Sequence, residues 1–205
     1  APNYLPLHIL VGELLLQEEH TNEAVRKFMV VINLYMIRGE ITRAVRLLRR
    51  VIQIQPTDLQ LRQRLIELLV AQDKIEDALV EYNQLATQYY NLADLDKARQ
   101  TYLDALKVAQ KSADNRTWGA NLLLKVADID MQRLNLRQAL RIYEQIRTIQ
   151  PDNRAARSQI VSINLRLGQE TAALKELDDF LHLLESTGHN QQAIDIIDDL
   201  LLDNE

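Results

Sequence analysis

The sequence predicts an all-α fold built from antiparallel helix hairpins, and three observations lead to that prediction. Glycine and proline are scarce, with 5 and 4 in 205 residues, so few turns are obligatory. Leucine, alanine, glutamine, arginine and isoleucine dominate, so helix formers outweigh strand formers. Finally, residues 134–153 (LNLRQALRIYEQIRTIQPDN) resemble residues 39–58 (GEITRAVRLLRRVIQIQPTD), 95 positions earlier. A chain that repeats helical segments is expected to form an array of hairpins.

One short motif recurs along the chain, an alanine followed four positions later by a large apolar or aromatic residue. Successive alanines are 20, 34, 20, 41, 34 and 20 residues apart. In a helix hairpin, a small side chain near the turn permits an interaxial distance of about 8–9 Å, and the larger residue fills the space one turn later. The motif occurs at Ala24/Phe28, Ala44/Leu48, Ala78/Tyr82, Ala98/Tyr102, Ala139/Tyr143, Ala173/Leu177 and Ala193/Ile197.

Five helices are predicted in the first half of the chain. A spacing of 20 residues is about one helix and one turn, so the helix that contains Ala24 closes one hairpin and opens the next. Gly39 follows a helix where a left-handed residue is expected. Asp58, just after Pro56, is expected to cap the next helix. The predicted ranges are 4–18, 22–38, 41–54, 58–72 and 75–91.

Six further helices are predicted after residue 94. Asn153 follows Pro151 and is expected to cap a helix, and Gly168 and Gly188 are expected to end two others. The spacing of 41 places seven extra residues within 109–123, either as a longer helix or loop or as a boundary near residue 113. We therefore expect one domain over 1–205, from a longer natural chain, with 1–112 and 113–205 as alternative sub-arrays. The predicted ranges are 95–111, 115–133, 136–149, 153–167, 170–186 and 190–202.

The motif and its spacing resemble the tetratricopeptide repeat, a helix pair of about 34 residues. Val11-Gly12 with Leu15 fits the Leu-Gly part of that family's pattern, and Pro56 and Pro151 occupy its closing proline position. The tryptophan position is not kept and holds other residues, among them Arg62 and Arg157. The resemblance implies a right-handed superhelical α-solenoid of about eleven helices.

The resemblance also implies a function, a noncatalytic protein–protein interaction scaffold that binds a peptide or a partner helix in a concave groove. The alternative is a regulatory or sensor segment attached to a DNA-binding or ATPase domain outside this sequence. The family's clamp for acidic chaperone tails is absent, because its positions hold Gln63, Glu67, Lys125, Ala155 and Gln159. The candidate groove residues are Gln60, Gln63, Arg64, Glu67, Asn121, Lys125, Asp128, Ser158, Ser162 and Arg166.

The expected partner is therefore another protein or a peptide segment, and no small-molecule substrate is expected. No run of about 18 apolar residues is present, so no membrane span is predicted. We expect a cytoplasmic location. The predicted last helix, 190–202, carries a wide apolar arc, so self-association through it is a further expectation.

The sequence contains no motif for catalysis, cofactor binding or metal binding. It has no cysteine, so disulfides and thiolate metal sites are excluded. The four histidines show no metal-binding spacing, and no phosphate-binding or nucleophile motif occurs. We expect no metal, no cofactor and no enzymatic activity. The acidic pairs Asp128/Asp130, Asp178/Asp179 and Asp198/Asp199 are expected on exposed helix faces.

The net charge of −5 is unevenly distributed. Residues 170–205 carry 1 basic and 10 acidic side chains, which favours a solvated face or a docking surface for a basic partner. Arg43, Arg46 and Arg50 share one helix face, with Arg49 beside them. That stripe is a solvated or ion-paired face, or it docks an acidic protein segment. Nucleic acid is disfavoured because no aromatics are interleaved and the pI is about 5.5.

Overall fold

Every regular element in the described residues, 4–111 and 116–188 of the computed structural model, is an α-helix. Each of these helices begins and ends within two residues of a predicted one. The predicted helix over 190–202 and the predicted boundary near 113 lie outside the described residues. The helices are α1 Leu5–Gln17, α2 Thr21–Ile37, α3 Ile41–Ile54, α4 Leu59–Ala71, α5 Ile75–Asn91, α6 Leu95–Ala109, α7 Arg116–Gln132, α8 Leu136–Ile149, α9 Arg154–Arg166 and α10 Glu170–Ser186.

The chain forms two compact units, Ala1–Thr101 and Tyr102–Glu205, and the division falls within α6. In the first unit, each helix from α1 to α4 packs against the helix that follows it. In the second, α7 to α10 pack in the same sequential way. Helix α2 packs against both α1 and α3, which confirms the double role predicted from the spacing of 20 residues.

The core of the first unit explains why the alanine motif recurs. Ala24, Ala44 and Ala78 are fully buried, so neighbouring helices approach closely at these positions. Phe28 is also fully buried, and its ring lies directly against Gly12 of α1. A Cβ atom on Gly12 would lie 2.7 Å from Cε1 of Phe28, so glycine is required for this contact.

The repeat of 95 residues extends over four whole helices. Shifting the bounds of α2, α3, α4 and α5 by 95 gives the bounds of α7, α8, α9 and α10. The left-handed residues after these helices recur at the same offset, and only one member of each pair is glycine. The pairs are Gly39/Leu134, Asp73/Gly168 and Ala93/Gly188. The turn geometry is therefore set by the hairpin and does not depend on a glycine.

The predicted helix caps are present. The side chain of Asp58 accepts hydrogen bonds from the backbone N–H groups of Gln60 and Leu61 at 3.0 and 3.4 Å. The side chain of Asn153 accepts one from the N–H of Ala156 at 3.0 Å. Both residues satisfy donors that have no partner inside the helix, and so fix where α4 and α9 begin.

The prediction that Asp130 lies on an exposed helix face is wrong, because Asp130 is fully buried. Residues two positions apart on a helix point about 200° away from each other. Asp128 therefore faces solvent while Asp130 faces the interior. Asp178 and Asp179 are both exposed, as predicted.

Candidate protein-interaction surface

Four candidate groove residues lie on α4 of the first unit. Gln60, Gln63 and Glu67 are exposed along one face, and Arg64 is half-buried beside them. The Gln63 amide donates a hydrogen bond to the Tyr89 hydroxyl at 2.9 Å. Gln63 is thus held against α5, while the side chains of Gln60 and Glu67 extend into solvent.

Arg64 connects α4 to α2. Its guanidinium group donates a hydrogen bond to the side-chain oxygen of Asn33 and lies 3.4 Å from the sulfur of Met36. Because its planar donors are already oriented by these contacts, less side-chain entropy is lost when a partner binds to the remaining donors.

Two exposed apolar residues on α2, which are not among the candidates predicted from the sequence, extend this surface. Val30 and Ile37 lie about one helical turn to either side of Asn33, with relative exposures of 40% and 82%. The second half of α2 has the sequence VVINLYMI, which is apolar on nearly every side of the helix. Periodicity therefore could not show which of these apolar residues are exposed. We call the set Val30, Asn33, Ile37, Arg64 and Glu67 the α2–α4 surface.

Three candidates lie on α7 in the second unit. Asn121, Lys125 and Asp128 are exposed and share one helix face. The Tyr143 hydroxyl of α8 donates a hydrogen bond to Asp128 at 3.4 Å. Burial and the neighbouring Asp128 carboxylate raise the pKa of Tyr143 above its usual value, so Tyr143 stays protonated and keeps donating.

The last three candidates lie on α9. Ser158 and Ser162 are half-buried, and Arg166 at the end of the helix is exposed. The three are spaced four residues apart, so they form one row. Leu165 beside them is 37% exposed, which adds an apolar contact to this polar row.

Buried ion pairs hold α4 and α9 against the helices that follow them. Arg62 of α4 bonds to Glu81 and Gln84 of α5, and Arg157 of α9 bonds to Glu176 of α10 at 2.7 Å. Both arginines occupy the position where the family pattern has tryptophan. They are 7% and 8% exposed, so this position remains interior although its residue type has changed.

The basic stripe on α3 is mostly ion-paired. Arg43 pairs with Glu40, Arg49 with Asp77 and Arg50 with Glu13. The pairs of Arg49 and Arg50 reach α5 and α1, so α1, α3 and α5 form one layer of the first unit. Helices α2 and α4, which Arg64 joins, form the other.

The described residues offer no arrangement for metal binding. Among them, no group of three or more histidine, aspartate or glutamate side chains could hold an ion. His182 lies 3.7 Å from Glu185, and both are exposed. The helices of the described residues also include none that is long and apolar enough to cross a membrane.

Comparison with protein families identifies the repeats. One tetratricopeptide-repeat family profile matches residues 35–91, which contain α3, α4 and α5. A second tetratricopeptide-repeat profile matches residues 82–112, from the second half of α5 through α6. No curated protein matches the sequence.

Several solved structures share a similar arrangement at low sequence identity. MamA has a TM-score of 0.46 at 15% identity, with 78% of this chain and 97% of that one covered. YrrB, described as a tetratricopeptide-repeat protein with an unusual peptide-binding site, has a TM-score of 0.43 at 12% identity, covering 86% and 95%. NprR in complex with its cognate peptide NprX has a TM-score of 0.47 at 13% identity, covering 94% and 59%. Likeness at this level transfers no partner or activity to this chain.

The two family matches fall on helices whose bounds, caps and buried alanines follow the repeat pattern. Residues 35–112 of the chain therefore carry tetratricopeptide repeats.

Proposed function

We propose that this protein is a noncatalytic protein–protein interaction scaffold that binds a peptide or a partner helix through exposed residues of α4 in the first unit and of α7 and α9 in the second. The observation that carries the proposal is the α2–α4 surface, where Ile37 and Val30 remain exposed next to the oriented polar groups of Asn33 and Arg64. Tetratricopeptide repeats are generally noncatalytic, which supports a binding role.

The chemistry of the α2–α4 surface suits a peptide. Covering a side chain such as Ile37 contributes about 1.5–3 kcal/mol when burial is complete. Arg64, Asn33 and Glu67 provide donors and acceptors for the polar groups of a bound segment. A mixed surface of this kind combines affinity from the apolar residues with orientation from the polar ones.

The corresponding face of the second unit is more polar. The position equivalent to Val30, 95 residues later, is occupied by Lys125, and the position equivalent to Ile37 is occupied by Gln132. A segment bound there would be held mainly by hydrogen bonds and charge. We therefore expect the two units to bind different parts of a partner, with the apolar anchor on α2–α4.

The test is affinity capture from a lysate with the 205-residue chain as bait and mass spectrometry as the readout. The bait is compared with the variant Arg64→Ala/Lys125→Ala/Arg166→Ala. The control variant is Arg137→Ala/Arg141→Ala/Lys175→Ala, which removes the same number of charges from exposed positions outside the candidate set.

The proposal predicts a protein that is captured by the wild-type chain and by the control variant but is lost with the Arg64/Lys125/Arg166 variant. Equal capture by all three baits would contradict the assignment of the surface. Repeating the capture at low and moderate salt separates contacts that depend on charge from apolar ones, because only the former are screened.

A further inference from the structure

We propose that the first unit has a second docking site, a basic cavity on α3 that binds an acidic peptide segment of a partner protein. The cavity has a volume of about 470 Å³. Its walls contain four cationic side chains and no carboxylate. It is lined by Thr42, Val45, Arg46, Arg49, Arg50 and Gln53 of α3 and by Lys74 from the turn between α4 and α5.

Two of the four cations are available in the free protein. Within the described part of the chain, no ion pair or side-chain hydrogen bond engages Arg46 or Lys74. Both residues are exposed. A carboxylate entering the cavity would therefore meet these two cations without breaking an existing contact.

The other two cations are held in ion pairs with carboxylates outside the cavity. Arg49 bonds to Asp77 through one nitrogen at 2.8 Å, and Arg50 bonds to Glu13 through both terminal nitrogens, one of them at 2.7 Å. All four of these side chains are at least a third exposed, and an exposed pair with a single contact adds little to stability. A partner carboxylate can thus replace Asp77 on Arg49, while Arg50 stays in place over the Phe28 ring, 5.5 Å from its centroid.

The internal repeat shows that the fold does not require this charge. At the offset of 95 residues, Arg46 is matched by Arg141, but the other three cations are not kept. Glu144 replaces Arg49, Gln145 replaces Arg50 and Gln169 replaces Lys74. Since α8 has the same bounds relative to α7 and α9 as α3 has to its neighbours, the basic cluster serves something other than packing.

The arrangement favours a peptide over a single phosphate. Arg46, the pair Arg49 and Arg50, and Gln53 follow one another along α3 at steps of about 5–6 Å. Carboxylates on one side of an extended chain recur about 7 Å apart, so successive acidic residues can each reach a cation. Stacking of nucleic-acid bases would need aromatic residues, and the cavity walls contain none.

This site is distinct from the surface proposed above. Arg46, Arg49 and Arg50 belong to the layer of α1, α3 and α5, whereas Arg64 and Asn33 belong to the layer of α2 and α4. One partner segment on each layer would let the scaffold hold two chains at once.

The test measures binding of a fluorescently labelled peptide of alternating aspartate and glutamate by anisotropy. The variant Arg46→Glu/Lys74→Glu is compared with Arg141→Glu/Lys175→Glu, which makes the same change in charge on α8 and α10. Circular dichroism confirms that both variants keep the helical fold. Removing two cations and adding two anions is expected to weaken binding by about tenfold or more, which corresponds to about 1.4 kcal/mol.

Three outcomes decide the proposal. Weaker binding with Arg46→Glu/Lys74→Glu and unchanged binding with the α8–α10 control supports it. Tighter binding with Asp77→Asn, which releases Arg49 from its internal partner, supports it further. Absence of peptide binding, equal weakening by the control, or binding of polyuridine RNA or inorganic phosphate in place of the peptide would overturn it.

Discussion

Arg157 donates a hydrogen bond to Glu176 at 2.7 Å, and both side chains are at most 10% exposed. The same pair, Arg62 with Glu81, occurs 95 residues earlier between α4 and α5. Arg157 also bonds to the carbonyl oxygen of Pro151 and lies 5.3 Å from the centroid of the Phe180 ring. An ion pair has therefore taken the interior position that tryptophan holds in the family pattern, in both repeats.

Replacing Glu176 alone is expected to destabilise the protein strongly. Glu176→Leu leaves the buried guanidinium of Arg157 without its carboxylate, and such a change costs about 3–5 kcal/mol in the free energy of unfolding. Arg157→Met/Glu176→Leu removes both charges, so we expect the double variant to be more stable than Glu176→Leu. Urea denaturation followed by circular dichroism measures these two variants and the single variant Arg157→Met. If the loss in free energy of unfolding in the double variant equalled the sum of the losses in the two single variants, Arg157 and Glu176 would not be coupled.

Leu134 is a residue whose replacement by glycine is expected to stabilise the protein. It has a left-handed φ of 58° and is 78% exposed, so its side chain adds backbone strain and little packing. Leu134→Gly should raise the free energy of unfolding by about 0.5–1 kcal/mol. The matched reverse change is Gly39→Ala at the equivalent position, where a Cβ meets nothing within 4 Å. Gly39→Ala should lower the free energy of unfolding. If both variants raised it, or both lowered it, strain at the left-handed residue would not explain the effect.

Gly12 is expected to tolerate no side chain while Phe28 is present. The Cβ of Gly12→Ala would overlap the Phe28 ring at 2.7 Å, and overpacking of this kind costs about 1–3 kcal/mol. Phe28→Leu creates room, so Gly12→Ala should cost less in that background. Thermal unfolding of the four proteins in this cycle checks the coupling. A cost of Gly12→Ala that is independent of residue 28 would rule out the steric explanation.

Tyr143 is expected to limit stability at alkaline pH. Burial first and Asp128 second raise its pKa above the ordinary value of 10.0, so the folded state favours the protonated phenol. Its contribution is fully present below pH 10.0 and is lost as the pH rises beyond that value. Tyr143→Phe should therefore lose less stability than the wild type above this pH, as measured by urea denaturation across the alkaline range.

The Asp128→Asn variant is the control for this pH effect. It keeps a group of the same size at the hydrogen-bond position but removes the negative charge that opposes ionisation of Tyr143. The pKa of Tyr143 in the folded state should then fall toward its ordinary value, so the alkaline loss of stability should become smaller and end at a lower pH. An unchanged profile in both variants would mean that other groups determine the alkaline transition.

The positions of the helices could be predicted from the sequence because local signals determine them. The alanine motif, Asp58 and Asn153 as caps, and Pro56 and Pro151 as stops act within one or two turns, so their effects are readable along the chain. Left-handed residues could be predicted only where they are glycine. Leu134 carries no such signal, because the geometry of its turn is imposed by the packing of α7 against α8.

Contacts between helices could not be predicted in the same way. Arg62 was visible as a change at the tryptophan position, but its partner Glu81 lies 19 residues further along the chain in the next helix. The hydrogen bond from Arg64 to Asn33 spans 31 residues. Periodicity identifies the face of a helix but not the residue opposite it, so the α2–α4 surface required the structure.

Hydrogen–deuterium exchange of the chain with and without its captured partner tests whether that partner binds through α4, α7 and α9. The partner is the protein that is lost with the Arg64/Lys125/Arg166 variant. The proposed function predicts slower backbone exchange in α4, with its neighbour α2, and in α7 and α9 when that partner is bound. Unchanged exchange in all four helices, with protection confined to α8 and α10, would contradict it.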